Sequence, residues 1–260
     1  MINNHFTERA AASVRRYGSF IDALRNQATA IMLANPLAQH ERERARNNAY
    51  DAARRFAGWE HAELNEDTQN VATSAYQQAR DDLGLPRKEG IDNRFAEFIF
   101  ESAAYAARLI AAQADRDVVS MSQHILRQAQ RVDLYVRGGQ HTPATAAAQI
   151  VMDDQQVPMF RFQDRLGRKF KSRKHIRDIY RAHLVNIYNE VYMDVIAEHG
   201  RSTAFITHPD PGYKWFGQEV AIAPEAAGKL PLIYDIRDEV FHPSTNATLT
   251  INMENDDVSA

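Results

Sequence analysis

Cysteine is absent from this chain of 260 residues. That one gap excludes disulfides, thiolate metal sites and cysteine nucleophiles together, and it fits a reducing compartment. No segment approaches the roughly 20 consecutive apolar residues that a membrane-crossing helix needs, so no membrane segment is expected. Residues Met1 to Ala12 include Glu8 and Arg9 where a secretory signal would need an apolar run, which leads us to expect an intracellular or particle-associated soluble protein. An excess of one charge is missing too: the formal net charge is −3, and such a small sum points to no partner by itself. No internal repeat is convincing. No His-Glu-x-x-His pair occurs, and Gly138-Gly139 lacks the preceding strand, the further glycine and the lysine of a phosphate-binding loop, so it reads as a turn.

What is present is ordinary globular material. Hydrophobic residues make up 44% and charged residues 25%, and 9% aromatics are enough to anchor a core. The length suits one large domain or two modest ones. Phe6, Ala10, Val14, Tyr17, Ile21, Leu24, Ala28 and Ile31 recur at steps of three and four, which predicts a helix from about Phe6 to Met32. Asn35-Pro36 breaks it, because proline lacks the amide donor and clashes with the preceding turn. A polar, arginine-rich helix is expected over Leu37 to Trp59. Another should start at Asn65 as N-cap, with Glu66 and Asp67 in its first turn, and end near Gly84-Leu85-Pro86. Further helices are predicted for Ile91 to Gln113 and for Val118 to Val136. Thr142-Pro143 then opens a short alanine-rich helix.

The pattern changes at Pro158. Met159 to Phe162 and Lys169 to Lys171 alternate on either side of Asp164-Arg165-Leu166-Gly167, which predicts a small hairpin. Ser172 can cap a long helix running to about His199, with Gly200 placed to end it. Short β-like segments follow at Thr203–Thr207, Lys214–Ile222, Leu230–Ile236 and Thr248–Met253, separated by prolines 209, 211, 224, 231 and 243. The expected fold is therefore mainly α. A helical assembly over residues 1–158 precedes a small α+β module over 159–260, made of hairpin, long helix and short antiparallel strands.

The clearest chemical signal is basic. Between Arg161 and Arg181 lie Arg161, Arg165, Arg168, Lys169, Lys171, Arg173, Lys174, Arg177 and Arg181, against only Asp164 and Asp178, a local charge of +7. Such a segment could neutralise phosphates with strong salt dependence, or pair with acids elsewhere in the chain or on a partner protein. His208, Asp210, Asp238, Glu239 and His242 form the only other grouping of interest. Imidazole and carboxylate can bind metal, and His242 with Asp238 or Glu239 could in principle exchange protons. Yet the spacing matches no metal motif, both histidines precede proline, and no nucleophile, oxyanion donor or phosphate cradle accompanies them. We expect loop histidines, with no catalytic residue, no metal site and no cofactor. Tyr180, Tyr188 and Tyr192 sit at helical spacing and are expected in the core.

The order of these motifs carries a resemblance. Asp164-Arg165-Leu166-Gly167-Arg168-Lys169-Phe170 leads into a helix reading His175-Ile176-Arg177-Asp178-Ile179-Tyr180-Arg181, which ends at His199-Gly200. Next come Thr203 to His208, a Pro-Asp-Pro-Gly turn, Phe216-Gly217-Gln218-Glu219-Val220, and finally Phe241-His242-Pro243. This order resembles the C-terminal module of bacteriophage minor capsid and head-morphogenesis proteins, the Mu F-like group. The family motif falls on Asp164, Gly167, Arg168, Gly200, Gly217, Phe241, His242 and Pro243. The likeness covers Asp164 to Thr250 with short flanks and leaves the N-terminal helices outside it. Members often carry cysteines before the glycine segment and in the closing element; here those places read His208-Pro209-Asp210-Pro211-Gly212 and Ser244-Thr245-Asn246. The resemblance implies a virion component of low copy number, made in the host cytoplasm and built into a larger assembly. Its implied partners are the portal or other head and neck proteins, with packaged DNA as a candidate for the basic segment. Some relatives carry a toxin domain after this module, and the short stretch beyond Pro243 leads us to expect none here. Two other readings stay open: a nucleic-acid-binding accessory protein outside the particle, and a hydrolase or nuclease using His208, Asp210 or His242.

Overall fold

The fold is described by a computed structural model covering residues 2–139, 141–154, 161–163, 169–242 and 245–252. Among these residues the helices are α1 (Ile2–Ala34), α2 (Gln39–Asp82), α3 (Ala96–Arg137), α4 (Pro143–Asp154), α5 (Ser172–Glu198) and α6 (Ile233–Val240). The strands are β1 (Arg161–Gln163), β2 (Lys169–Lys171), β3 (Thr203–Thr207), β4 (Glu219–Ala221) and β5 (Thr248–Thr250), and single 3-10 turns occupy Asn93–Phe95 and Pro224–Ala226. The fold is mainly α with a small α+β module, as the periodicities predict. No helix among the described residues is long and apolar enough to cross a membrane.

Several boundaries follow from residues already noted. α1 stops where Asn35 donates its last helical bond to the Ile31 carbonyl, at 3.1 Å, just before Pro36. Thr142 caps α4: its hydroxyl accepts the Thr145 amide at 3.3 Å, and Pro143 takes the first helical position, where no donor is needed. α5 ends because Gly200 adopts φ +78°, which lets the Arg201 amide turn back to the Ile196 carbonyl at 3.0 Å.

Four expectations are corrected. α2 is one unbroken helix of 44 residues rather than two with a start at Asn65. The polar stretch that looked like a boundary is instead held inside: Glu60, Asp67 and Thr68 are all buried and hydrogen-bonded. α3 is likewise continuous across the gap expected between Gln113 and Val118, because Gln113 and Asp117 are buried and partnered. It begins at Ala96, after an extended Asp92 and a 3-10 turn, rather than at Ile91. Finally, Leu230–Ile236 is not a strand. Ile233 and Val240, two turns apart on one helical face, are buried and form the inner side of α6, while Leu232 makes a single parallel bridge to Ala221.

Contacts gather the chain into two compact units, each assembled from separated stretches. Each unit takes in residues from before and after 158, because α1, α2, α3 and α5 are long enough to contribute a segment to both.

The first unit comprises Met1–Ala11, His61–Ala106 and Asp178–Ala260. Leu64, Val71, Ala103, Leu184, Val191 and Ile206 are fully buried in it, and burying a side chain of leucine size contributes about 1.5–3 kcal/mol. Its sheet runs β4-β3-β5, antiparallel throughout, with Ala204 opposite Val220 and Ile206 opposite Leu249. Asn189 of α5 docks the last strand. Its side-chain amide donates to the Ala247 carbonyl at 3.1 Å, and its oxygen accepts the Leu249 amide at 3.0 Å.

The second unit comprises Ala12–Glu60 and Ala107–Arg177. Tyr17, Phe20 and Phe56 form its aromatic centre, Phe20 stacking on Phe56 at 5.2 Å between ring centres. Ile110, Met121, Ile150 and Ile176 are fully buried here. The expected hairpin is present as β1 and β2, with Phe162 opposite Phe170 and Arg161 opposite Lys171. Its turn, with Asp164, Arg165, Gly167 and Arg168, lies outside the described residues.

Candidate contact surface at the start of α5

The basic segment leaves β2 at Lys171 and enters α5 at Ser172. Ser172 is buried and roots the helix in the second unit. Its hydroxyl donates to Asp117 Oδ1 at 3.0 Å and accepts from Gln113 Nε2 at 3.2 Å. Asp117 Oδ2 also accepts the Tyr17 hydroxyl, and Arg116 holds Gln113 from behind through bonds of 2.8 and 3.1 Å to its oxygen. Burial pushes the Asp117 carboxyl up to about 7, with the Ser172 bond pulling the other way. This carboxyl is therefore half-protonated near neutrality, and its place is under the helix rather than on the surface.

Above that root lie the cations of the segment. Arg173 is engaged: its guanidinium donates to Asp22 Oδ1 at 3.2 Å and to the Gly18 carbonyl at 3.5 Å. Gly18 makes room for it, since a Cβ there would lie 3.3 Å from the guanidinium carbon. Lys171, Lys174 and Arg177 are exposed, and Arg181 is half-buried in the first unit. Arg161 and Lys169 belong to β1 and β2, and Arg165 and Arg168 lie outside the described residues. The helix carries no acid in its first turn, so the macrodipole, positive at this end, opposes these cations.

The histidine and acid grouping is used to build a loop. His208 Nδ1 accepts the Asp210 amide at 3.0 Å, and its ring stacks on Tyr213 at 4.3 Å. Asp210 Oδ1 accepts the Gly212 amide at 2.9 Å. Tyr213 then donates to the Val240 carbonyl at 2.8 Å, tying the loop to the end of α6, and Glu239 pairs with Lys214 at 3.0 Å. Gly217, at φ +73°, returns the chain to the sheet by donating to the Ile206 carbonyl at 2.8 Å. Phe241 is buried beside a half-buried His242, Asp238 is exposed, and Pro243 is outside the described residues. No group of three or more His, Asp or Glu among the described residues is arranged to hold a metal ion.

Sequence reasoning missed the buried polar groups. Glu60, with no exposed surface, accepts from Ser13 at 2.7 Å and from Arg16. Asp67 accepts from Tyr180 and pairs with Arg9 at 3.2 Å. His183 meets the Thr68 hydroxyl at 2.7 Å, and burial lowers its pKa to about 4, so the ring is neutral. One signal was available: Gln113 and Asp117 continue the buried stripe of Ile99, Ala103, Ala106 and Ile110, so they are polar residues on an apolar face.

No protein-family model matches the chain, and no curated protein or solved structure matches it either.

Proposed function

We propose that this chain is a structural component of a bacteriophage head, a minor capsid or head-morphogenesis protein that joins the portal or the head–tail region in few copies. The observation that carries the reading is the order of elements after residue 160. A short hairpin is followed by a long helix closed by a left-handed glycine. Then comes a β3–β4 pair returned by Gly217, a buried Phe241 and the closing strand β5. That succession resembles the one expected of the Mu F-like module, and Gly200 and Gly217 of the motif each adopt a positive φ that a side chain would resist.

A second feature supports assembly over catalysis. The polar groups that could have served a reaction are spent on structure: His208 and Asp210 on a turn, Glu239 on an ion pair, Asp117 and Glu60 inside the helices. Meanwhile large apolar side chains face outward, among them Phe100, Tyr105, Leu134 and Met152, each more than half exposed. Such side chains suit a protein that is covered by partners in its working state. The role asks the chain to hold shape and bind neighbours, and it needs no cofactor.

Deleting the chain from its source genome tests this. Loss of infectious particles, with restoration by a supplied copy, is the expected result. Undiminished yields of normal, DNA-filled, infectious heads would overturn the proposal.

A further inference from the structure

We propose that the outer face of α3 in the second unit is an interface with a second copy of this chain, formed by two α3 helices packed side by side. A helix that packs on one core needs a single apolar stripe, and α3 carries two. Ile110, Met121 and Val132 belong to the inner stripe and have no exposed surface. The outer face holds Leu109, Val119, Leu126 and Leu134, which are 37, 42, 48 and 68% exposed. Along that face Leu109, Ala112, Arg116, Val119, Gln123, Leu126 and Gln130 follow one another by alternating steps of three and four, and all are exposed. This is the seven-residue repeat of a helix that faces another helix, sustained over about three heptads. A lone straight helix has no use for it, because its own period of 3.6 carries such a stripe slowly round the axis.

The stripe selects its occupant. A seven-residue repeat is matched by a helix with the same repeat, and α3 is itself such a helix. The face is therefore its own complement, as the twofold dimers that dominate protein oligomers require. Charge does not oppose this pairing. Arg116 is the one charged residue of the stripe, and its guanidinium is drawn aside to the Gln113 oxygen by bonds of 2.8 and 3.1 Å. Gln123 and Gln130 each bring a donor and an acceptor, so amides from two copies satisfy one another and fix the register. The area is sufficient. Within the unit α3 runs from Ala107 to Arg137, about 46 Å at 1.5 Å per residue. A strip of that length and about 10–12 Å wide offers about 500 Å² on each copy, and about 1,000 Å² in all is where specific interfaces begin. Beside Leu126 a groove of about 300 Å³, walled by Gln39, Arg42 and Arg46 of α2, adds to the contact. An interface of this size gives a dimer that separates on dilution.

The inference does not depend on the head-assembly reading, because it is tested on the purified full chain. Sedimentation equilibrium across about a hundredfold range of concentration gives the mass of the unaltered protein and of two variants. Val119→Glu/Leu126→Glu sets carboxylates of both copies against each other along the seam. Leu33→Glu/Leu37→Glu, the control, puts the same charge on exposed leucines at the end of α1 and in the turn after it. Circular dichroism melts establish that both variants are folded. The unaltered chain and the control should move from monomer to dimer as concentration rises. The seam variant should dimerise at least about tenfold more weakly, the loss expected when apolar anchors of an interface are replaced by charge. An unaltered chain that stays monomeric at every concentration would overturn the proposal and leave the face to a different protein. Equal weakening in the two variants, or a seam variant that dimerises as the unaltered chain does, would overturn it too.

Discussion

Asp117 has 2% of its surface exposed, and replacing it with asparagine should change how stability depends on pH rather than merely how large it is. Burial raises its pKa from 3.8 to about 7. A carboxyl whose folded pKa lies above its unfolded value keeps its proton more tightly in the native state, so stability declines as pH rises from about 4 to about 7 and is flat beyond. At 1.36 kcal/mol per pKa unit the full span is at most about 4 kcal/mol, and the part between pH 5 and pH 8 is about 2 to 3 kcal/mol. His183 works in the opposite direction. Its pKa is depressed to about 4, so its contribution is present above the unfolded value of 6.5 and is lost as pH falls. The two trends overlap in the unaltered protein, and only the difference between variant and parent isolates Asp117. Asparagine retains an acceptor and a donor for the Tyr17, Ser172 and Gln113 groups, and any misfit there adds an offset that pH does not change. Urea unfolding of both proteins at pH 5, 6, 7 and 8 reads the difference. It should move in favour of Asp117→Asn by about 2 to 3 kcal/mol across that range, with most of the change complete near pH 7. A difference that stays constant from pH 5 to pH 8 would refute the argument.

Ser172→Ala removes the donor to Asp117 and the acceptor for Gln113, and should cost about 1 to 2 kcal/mol in urea unfolding. Because that bond lowers the Asp117 pKa, the carboxyl resonance followed by NMR should titrate at a higher pH in the variant. Arg16→Met takes the guanidinium away from the fully buried Glu60 carboxyl and leaves it Ser13 as its side-chain partner, a loss of about 3 to 5 kcal/mol. Adding Glu60→Met should recover most of that loss, and a double variant as unstable as the single would contradict the assignment. Asn189→Ala strands the Ala247 carbonyl and the Leu249 amide, costing about 2 to 3 kcal/mol. Hydrogen exchange at Leu249 in β5 should accelerate before exchange in α5 does.

The elements that were legible are those whose ends carry local chemistry. Thr142-Pro143 starts α4, Gly200 ends α5, and alternation about Asp164 to Gly167 marks the hairpin, each a local pattern; Ser172 does open α5, but its hydroxyl binds Asp117 and Gln113 rather than capping the helix. The continuity of α2 and α3 was not legible, because Glu60, Asp67 and Asp117 are partnered by side chains distant in sequence. Tyr17 reaches Asp117 across 100 residues and Tyr180 reaches Asp67 across 113. A polar residue with such a partner looks, in isolation, like a cap or a solvated face. α6 was misread because aliphatic and aromatic residues in a short run favour strand and helix alike, and tertiary packing of Ile233 and Val240 decides between them. At the contact surface, the charge was plain from composition. The engagement of Arg173 with Asp22, 151 residues away, was not.

Quantitative mass spectrometry of purified particles from the source system tests the central claim most directly. The account predicts this chain in the particle at a small, fixed ratio to the shell protein, unchanged by washing or density banding. Its absence from particles, with abundance in the infected cell, would contradict a structural role in the head.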